Sequence, residues 1–188
     1  MTMINIKSWA YFKEYCKNYK YIIISGPQRS GTTYVSEELA TELNYRHVDE
    51  MEHGIFQINK MLSFIGTMPV VIQAPALSHK LHTINNKDTL VVFMMRNDHE
   101  ITKSEDRINW HKKHSQGEFN NYAREFVENK DKINSFKRCA PMKKWIWNNL
   151  QKNEMQVSYI ELQHEFIKQS KGYIAEKDRI HFKKKQTK

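Results

Sequence analysis

The stretch "SGPQRSGTT" (residues 25–33) follows the apolar run "YIII" (21–24) and leads into the helical pattern "TYVSEELATEL" (33–43). A strand, a glycine-bracketed loop and a helix in that order form a corner able to grip an anion. Gly26 and Gly31 stand at the spacing of the G-x-x-x-x-G-K-[ST] phosphate loop, but Thr32 fills the lysine position and Thr33 follows it. The glycines allow a tight turn and close backbone approach. The amides from about Arg29 to Thr33 then point inward at a helix N-terminus, where unpaired N–H groups and the helix dipole favour negative charge without any lysine. Thr32 and Thr33 add hydroxyl donors and Arg29 a fixed cation. The plainer alternative is a strand–turn–helix corner that uses glycine only for its shape, which the two threonines argue against.

Outward from this loop, apolar runs of strand length alternate with helical patterns. An amphipathic helix is expected over 6–19, and strands over 21–24, 45–48 ("YRHV"), 69–74 ("PVVIQA"), 90–95 ("LVVFMM") and 155–160 ("MQVSYI"). Helices are expected over 33–43, 54–65, about 98–113, 118–130 and 141–152, and near 161–169. The alternation predicts an α/β fold, a mainly parallel sheet flanked by helices on both faces. With no internal repeat or linker, residues 1–188 read as a single domain ending in a basic tail from about 180.

Bulk properties narrow the function classes. A chain of 188 residues can bury an ordinary core without disulfides or metals. Two cysteines, Cys16 and Cys139, make no disulfide framework and suit a reducing compartment. No signal-peptide pattern and no apolar run near the roughly 20 residues of a membrane span is present, so the expectation is a cytoplasmic protein without membrane partners. The net charge is +9, yet residues 1–88 hold 9 Lys+Arg against 8 Asp+Glu, so the later part carries nearly all of it. A basic half suits an anionic cofactor, an acidic substrate or nucleic acid, or it is simply a solvated lysine-rich surface.

In open parallel sheets, ligands bind beyond the carboxyl ends of the strands. Three polar interruptions lie at such ends: the loop, Arg96–Asn97 after "LVVFMM", and "DEMEH" (49–53) after "YRHV". A phosphoryl-transfer enzyme commonly ends such a strand with an aspartate that helps to hold magnesium. Arg96 stands there instead, suited to meeting an anion directly, although Asp98 is near.

These residues resemble the sulfotransferase family. "RSGTT" is similar to that family's 5′-phosphosulfate loop, [KR]-S-G-T-T, and "RNDHEITKS" to its R-N-P-x-D motif with a serine eight residues after the arginine. The resemblance implies a P-loop-like α/β fold and 3′-phosphoadenosine 5′-phosphosulfate (PAPS) as cofactor, leaving 3′-phosphoadenosine 5′-phosphate (PAP), with no metal. It implies Gly26, Arg29, Ser30, Gly31, Thr32 and Thr33 at the 5′ end, and Arg96 and Ser104 at the 3′-phosphate. "VSYIEL" (157–162) is similar to the family's Y-E-D-L segment, and "RIHFKKK" (179–185) is the candidate for its closing basic segment. Asp98 replaces the family's proline and Glu100 its aspartate, and the chain is short, which bears on the acceptor more than on the cofactor.

Sulfuryl transfer needs a base for the acceptor's proton. Glu50 is favoured, at a distance from Arg29 similar to that of the glutamate in members acting on tyrosine. His53 is second, since other branches use histidine and its ordinary pKa suits the task. Arg29 would stabilise the transferring group. Asp49 and Glu52 orient the base or meet a cationic acceptor, and the bland alternative is a solvated acidic turn. His79 and His82 lack a third metal ligand at a telling spacing. Trp110, His111 and His114 are candidates for acceptor contact, and Trp145 and Trp147 read as packing residues. The expected partners are the anionic nucleotide and a small-molecule or peptide acceptor of unknown identity. The rival readings are a nucleotide or nucleoside kinase with a degenerate loop and, less favoured, a basic nucleic-acid-binding protein.

Overall fold

The computed structural model describes residues 6–66 and 68–173, with side chains for all of these except 111–117. In chain order the elements are α1 (Trp9–Cys16), β1 (Tyr21–Ser25), α2 (Thr32–Leu43), β2 (Arg46–Val48), α3 (Glu50–His53), α4 (Ile58–Leu62), β3 (Val70–Gln73), β4 (Thr89–Met95), α5 (Asp98–Arg107), α6 (Trp110–Glu125), α7 (Lys130–Asn134), α8 (Cys139–Ile146), β5 (Ser158–Gln163) and α9 (His164–Ile167).

The five strands pair in the order β2-β3-β1-β4-β5, and every pairing is parallel. All residues of β1 and β3 are buried, which is why their sequences are unbroken apolar or β-branched runs ending in one polar residue. The two faces of the sheet follow the two-residue strand period. Ile22, Ile24, Val92, Met94 and Leu162 pack with Trp9, Phe12, Val35 and Leu39 of α1 and α2. Tyr21, Ile23, Ile72, Val91 and Phe93 pack on the other face with Ile55, Met61, Leu77 and Trp147. Trp147 stacks on Phe93 at 4.5 Å between ring centroids, as expected of a packing tryptophan. A smaller core of Phe119, Tyr122, Ile133, Met142 and Ile146 joins α6, α7 and α8.

Several boundaries differ from expectation for identifiable reasons. α1 starts late because Ser8 caps it, accepting from Tyr11 N at 3.1 Å. The helix expected over 54–65 is preceded by a separate turn of helix, α3, and narrows to α4, the two being split at the left-handed Gly54. The helix expected over 98–113 breaks at Asn109, which is left-handed (φ 53°), so α6 begins at Trp110 and runs through the break expected near 118. The helix around 141–152 starts at Cys139 and continues beyond α8 as a π-helical segment, Trp147–Gln151. β5 lies three residues later than expected, registered from Leu90↔Ser158 to Met95↔Gln163. No described helix is long and apolar enough to cross a membrane.

Candidate functional site

The sheet order puts β1 between β3 and β4, so the loop after β1 is flanked by two strand ends. Gly26 takes φ 132°, and a Cβ there would lie 2.9 Å from Met94 O, so the loop passes against the backbone of β4. Arg29 and Gly31 are also at positive φ (63° and 97°). The first amides of α2 have no helical carbonyl behind them and point into the loop. Ser30 is turned inward: its amide and its hydroxyl both donate to Pro27 O, at 3.2 and 2.6 Å. Its side chain therefore shapes the loop, while Thr32 and Thr33 line the cleft above it.

On the β4 side the expected residues come together. Arg29 Nε donates to Ser104 Oγ at 3.0 Å, and Arg96 Nη1 donates to Arg29 O at 2.8 Å. The residues expected at two separate ends of a nucleotide thus form one contiguous cluster. Arg96 Nε also meets Glu100 at 3.1 Å. Asp98, the carboxylate close enough to serve a metal, instead opens α5 and pairs with Lys144, which also donates to Arg96 O.

On the β3 side the connection to the loop is indirect. The strand preceding Glu50, β2, is not beside the loop: β3 lies between β2 and β1. Glu50 reaches the loop through Gln73, a residue that sequence reasoning missed. Gln73 Oε1 accepts from Glu50 N at 3.1 Å, while its Nε2 donates to the hydroxyls of Thr32 and Thr33 at 3.4 and 3.3 Å. Because both hydroxyl oxygens accept from Gln73, their protons remain available to donate to an anion. A glutamine closing a β-branched run was the one signal for it.

The Glu50 side chain is buried, and its Oε2 accepts from Ala76 N at 2.6 Å. Burial pushes the carboxyl up from its ordinary 4.5 to about 7, against the opposing pull of the Ala76 amide and Lys143. Asp49 does not orient it: its Oδ1 caps α3, accepting from Met51 N and Glu52 N at 2.8 and 3.1 Å. His53 turns away, its Nδ1 3.1 Å from Asp49 O and its ring against Phe64.

Above the loop lies a cleft of about 810 Å³ lined by Arg29, Thr32, Thr33, Glu50, Gln73, His79, Trp110, Glu118 and Tyr122, with Met51 and Phe56 at its mouth. Burial and the nearby Lys143 ammonium hold His79 down at about 3, so it is neutral at pH 7. Glu118 and Lys143 were missed too, because neither breaks a pattern in the sequence. The segment 179–185 lies outside the described residues, as do the side chains of His111 and His114.

No protein-family model matches the chain, and no curated protein matches its sequence. Among solved structures, a shikimate kinase from Acinetobacter baumannii in complex with shikimate superposes with a TM-score of 0.50. The match covers 94% of this chain and 99% of the kinase, at 15% identity. The chain shares the overall α/β fold of that kinase. At that identity the likeness concerns the fold alone.

Proposed function

We propose that the protein is a sulfotransferase that moves a sulfuryl group from PAPS to a hydroxyl or amine acceptor seated in the cleft over the loop. The observation that carries this reading is the contiguous Arg29–Ser104–Arg96 cluster at a loop without lysine. The strand ends beside β1 present Gln73 and Arg96 where a magnesium-dependent phosphoryl-transfer site favours a carboxylate.

In this reading the amides of Gly31, Thr32 and Thr33, the two threonine hydroxyls and Arg29 hold the 5′-phosphosulfate. Arg96 and Ser104 meet the 3′-phosphate. The acceptor oxygen or nitrogen attacks sulfur in line, the bond from sulfur to the bridging phosphate oxygen breaks, and PAP leaves as the anion. Glu50 takes the acceptor's proton, and a carboxyl at about 7 is suited to doing so near neutrality. Fixed donors stabilise the charge that gathers on the transferring group and on the leaving phosphate.

A second reading is favoured by the kinase likeness: phosphoryl transfer from a nucleoside triphosphate to a small acceptor on the same loop. Calorimetry separates the two. The proposal expects PAP to bind in the presence of a chelator, and more tightly than ATP with magnesium. Tight ATP–magnesium binding with no PAP binding would transfer the assignment to the kinase reading. Binding of DNA or RNA that falls steeply with salt, with neither nucleotide bound, would favour the nucleic-acid alternative.

A further inference from the structure

We propose that Lys143 is a positioning residue that locks the loop and the turn holding Glu50 into one register, an inference that rests on the reading of Glu50 as the base. Lys143 projects from α8 into the interior and is 2% exposed. Its Nζ donates to Pro75 O at 3.0 Å and to Gln28 Oε1, and it lies 5.5 Å from the centroid of the Tyr122 ring. Gln28 belongs to the loop, immediately before Arg29. Pro75 immediately precedes Ala76, whose amide holds the Glu50 carboxyl. One ammonium therefore ties the wall that grips the anion to the wall that carries the base.

A buried ammonium is costly unless its donors are satisfied and a counter-charge is near. Burial disfavours the Lys143 charge, Tyr122 and Glu118 favour it, and the balance lies above the ordinary lysine value. Gln28 links the same groups from the other side, donating through Nε2 to Glu118 Oε1 at 3.0 Å. Packing alone would be served by an apolar side chain of similar volume. The charge acts where water cannot screen it, on the carboxyl of Glu50.

Among the described residues, few groups face that carboxyl. Burial raises it most; Lys143 from α8 pulls it down, while Asp49 at the start of α3 and Glu118 from α6 push it up. Arg29 and His79 line the same cleft, and farther out Lys80 pairs with Glu125 at 3.4 Å. Removing the Lys143 charge leaves burial and the two acidic neighbours opposed by the Ala76 amide alone, so Glu50 is protonated over a wider pH range.

The test is a carbon-13 carboxyl NMR titration of Glu50, its resonance assigned by its loss in Glu50→Gln, in the wild type, Lys143→Met and Lys143→Arg. The Glu50 midpoint is expected to rise by about one pH unit or more in Lys143→Met, which for a group at about 7 is roughly a fivefold loss of carboxylate at pH 7. It is expected to return to within about half a unit of wild type in Lys143→Arg, which restores the charge. An unmoved midpoint in Lys143→Met, or an equal displacement in both variants, overturns the proposal. Where Lys143→Met does not fold, Lys143→Gln, which keeps a donor for Pro75 O, carries the same comparison. Failure of both to fold leaves Lys143 a structural role alone and likewise overturns it. The titration needs no acceptor, so it stands apart from the base reading, which falls if Glu50→Gln transfers sulfate at the wild-type rate.

Discussion

The two flanks of the β1 loop handle charge in opposite ways. On the β4 flank, Arg96 and Arg29 are partly exposed cations linked through hydrogen bonds to Ser104 and to the loop backbone. On the β3 flank, Glu50, His79 and Lys143 are buried, and burial shifts the carboxyl and the imidazole toward their neutral forms. Exposed, preset cations suit the holding of an anion from solution, because they need no protonation change and keep their charge at any physiological pH. Buried titratable groups suit the movement of a proton, because small changes in their surroundings alter their protonation. In the proposed reaction the loop joins a flank that binds the nucleotide to one that takes the proton.

The largest expected effect lies on the buried flank. Glu50→Gln keeps the shape of the side chain and removes its basicity, so transfer should fall by about 10² to 10⁴ while PAP affinity stays nearly unchanged. A rate assay beside a binding titration checks both halves. Parallel loss of rate and affinity would mean that the two flanks do not divide the work.

Next is the hinge between them. Gly26→Ala forces a side chain into φ 132° and against Met94 O and N, with a Cβ only 2.9 and 3.0 Å away. Strain and overlap with backbone together should cost about 3 kcal/mol or more of stability, read by chemical denaturation. An ordinary alanine tolerance would show that the loop is not pinned between the flanks.

A smaller effect is on the pH dependence of stability. Glu50 is raised from 4.5 to about 7 on folding, so the folded state binds its proton more tightly. That stability is fully present below the unfolded value and is lost as pH rises through the folded one. Between pH 5 and 7 the wild type should lose about 2 kcal/mol relative to Glu50→Gln. His79 has the opposite sign: held near 3, it costs stability as pH falls below its ordinary 6.5, and His79→Gln should be less acid-sensitive. Denaturation midpoints across this range check both slopes.

Legibility in the sequence divides along the same line. The sheet was readable because β1, β3 and β4 are apolar runs bounded by polar turns, and the β4 flank because Arg29, Arg96 and Ser104 lie in short local motifs. The exact ends of β5 were not, since its register is set by pairing with β4 rather than by its own alternation. Nor was the break at Asn109, which depends on one residue adopting a left-handed conformation. The buried flank was mostly hidden. Glu50 was found by position, but its route to the loop needed the strand order, which puts β3 beside β1 and β2 at the edge. Gln28, Glu118 and Lys143 meet only because α6 and α8 pack over the loop, and no spacing along the chain encodes that contact.

In the proposed reading the β4 flank holds an anion beyond the one held by the loop. Arg96→Ala tests it most directly, with affinities for PAP and for adenosine 5′-phosphate measured by calorimetry in chelator. A lost charge-assisted hydrogen bond of about 1.5–3 kcal/mol corresponds to roughly 10- to 100-fold. The expected result is a loss of that size for PAP and little change for adenosine 5′-phosphate, which lacks the 3′-phosphate. Equal losses for the two nucleotides would contradict it.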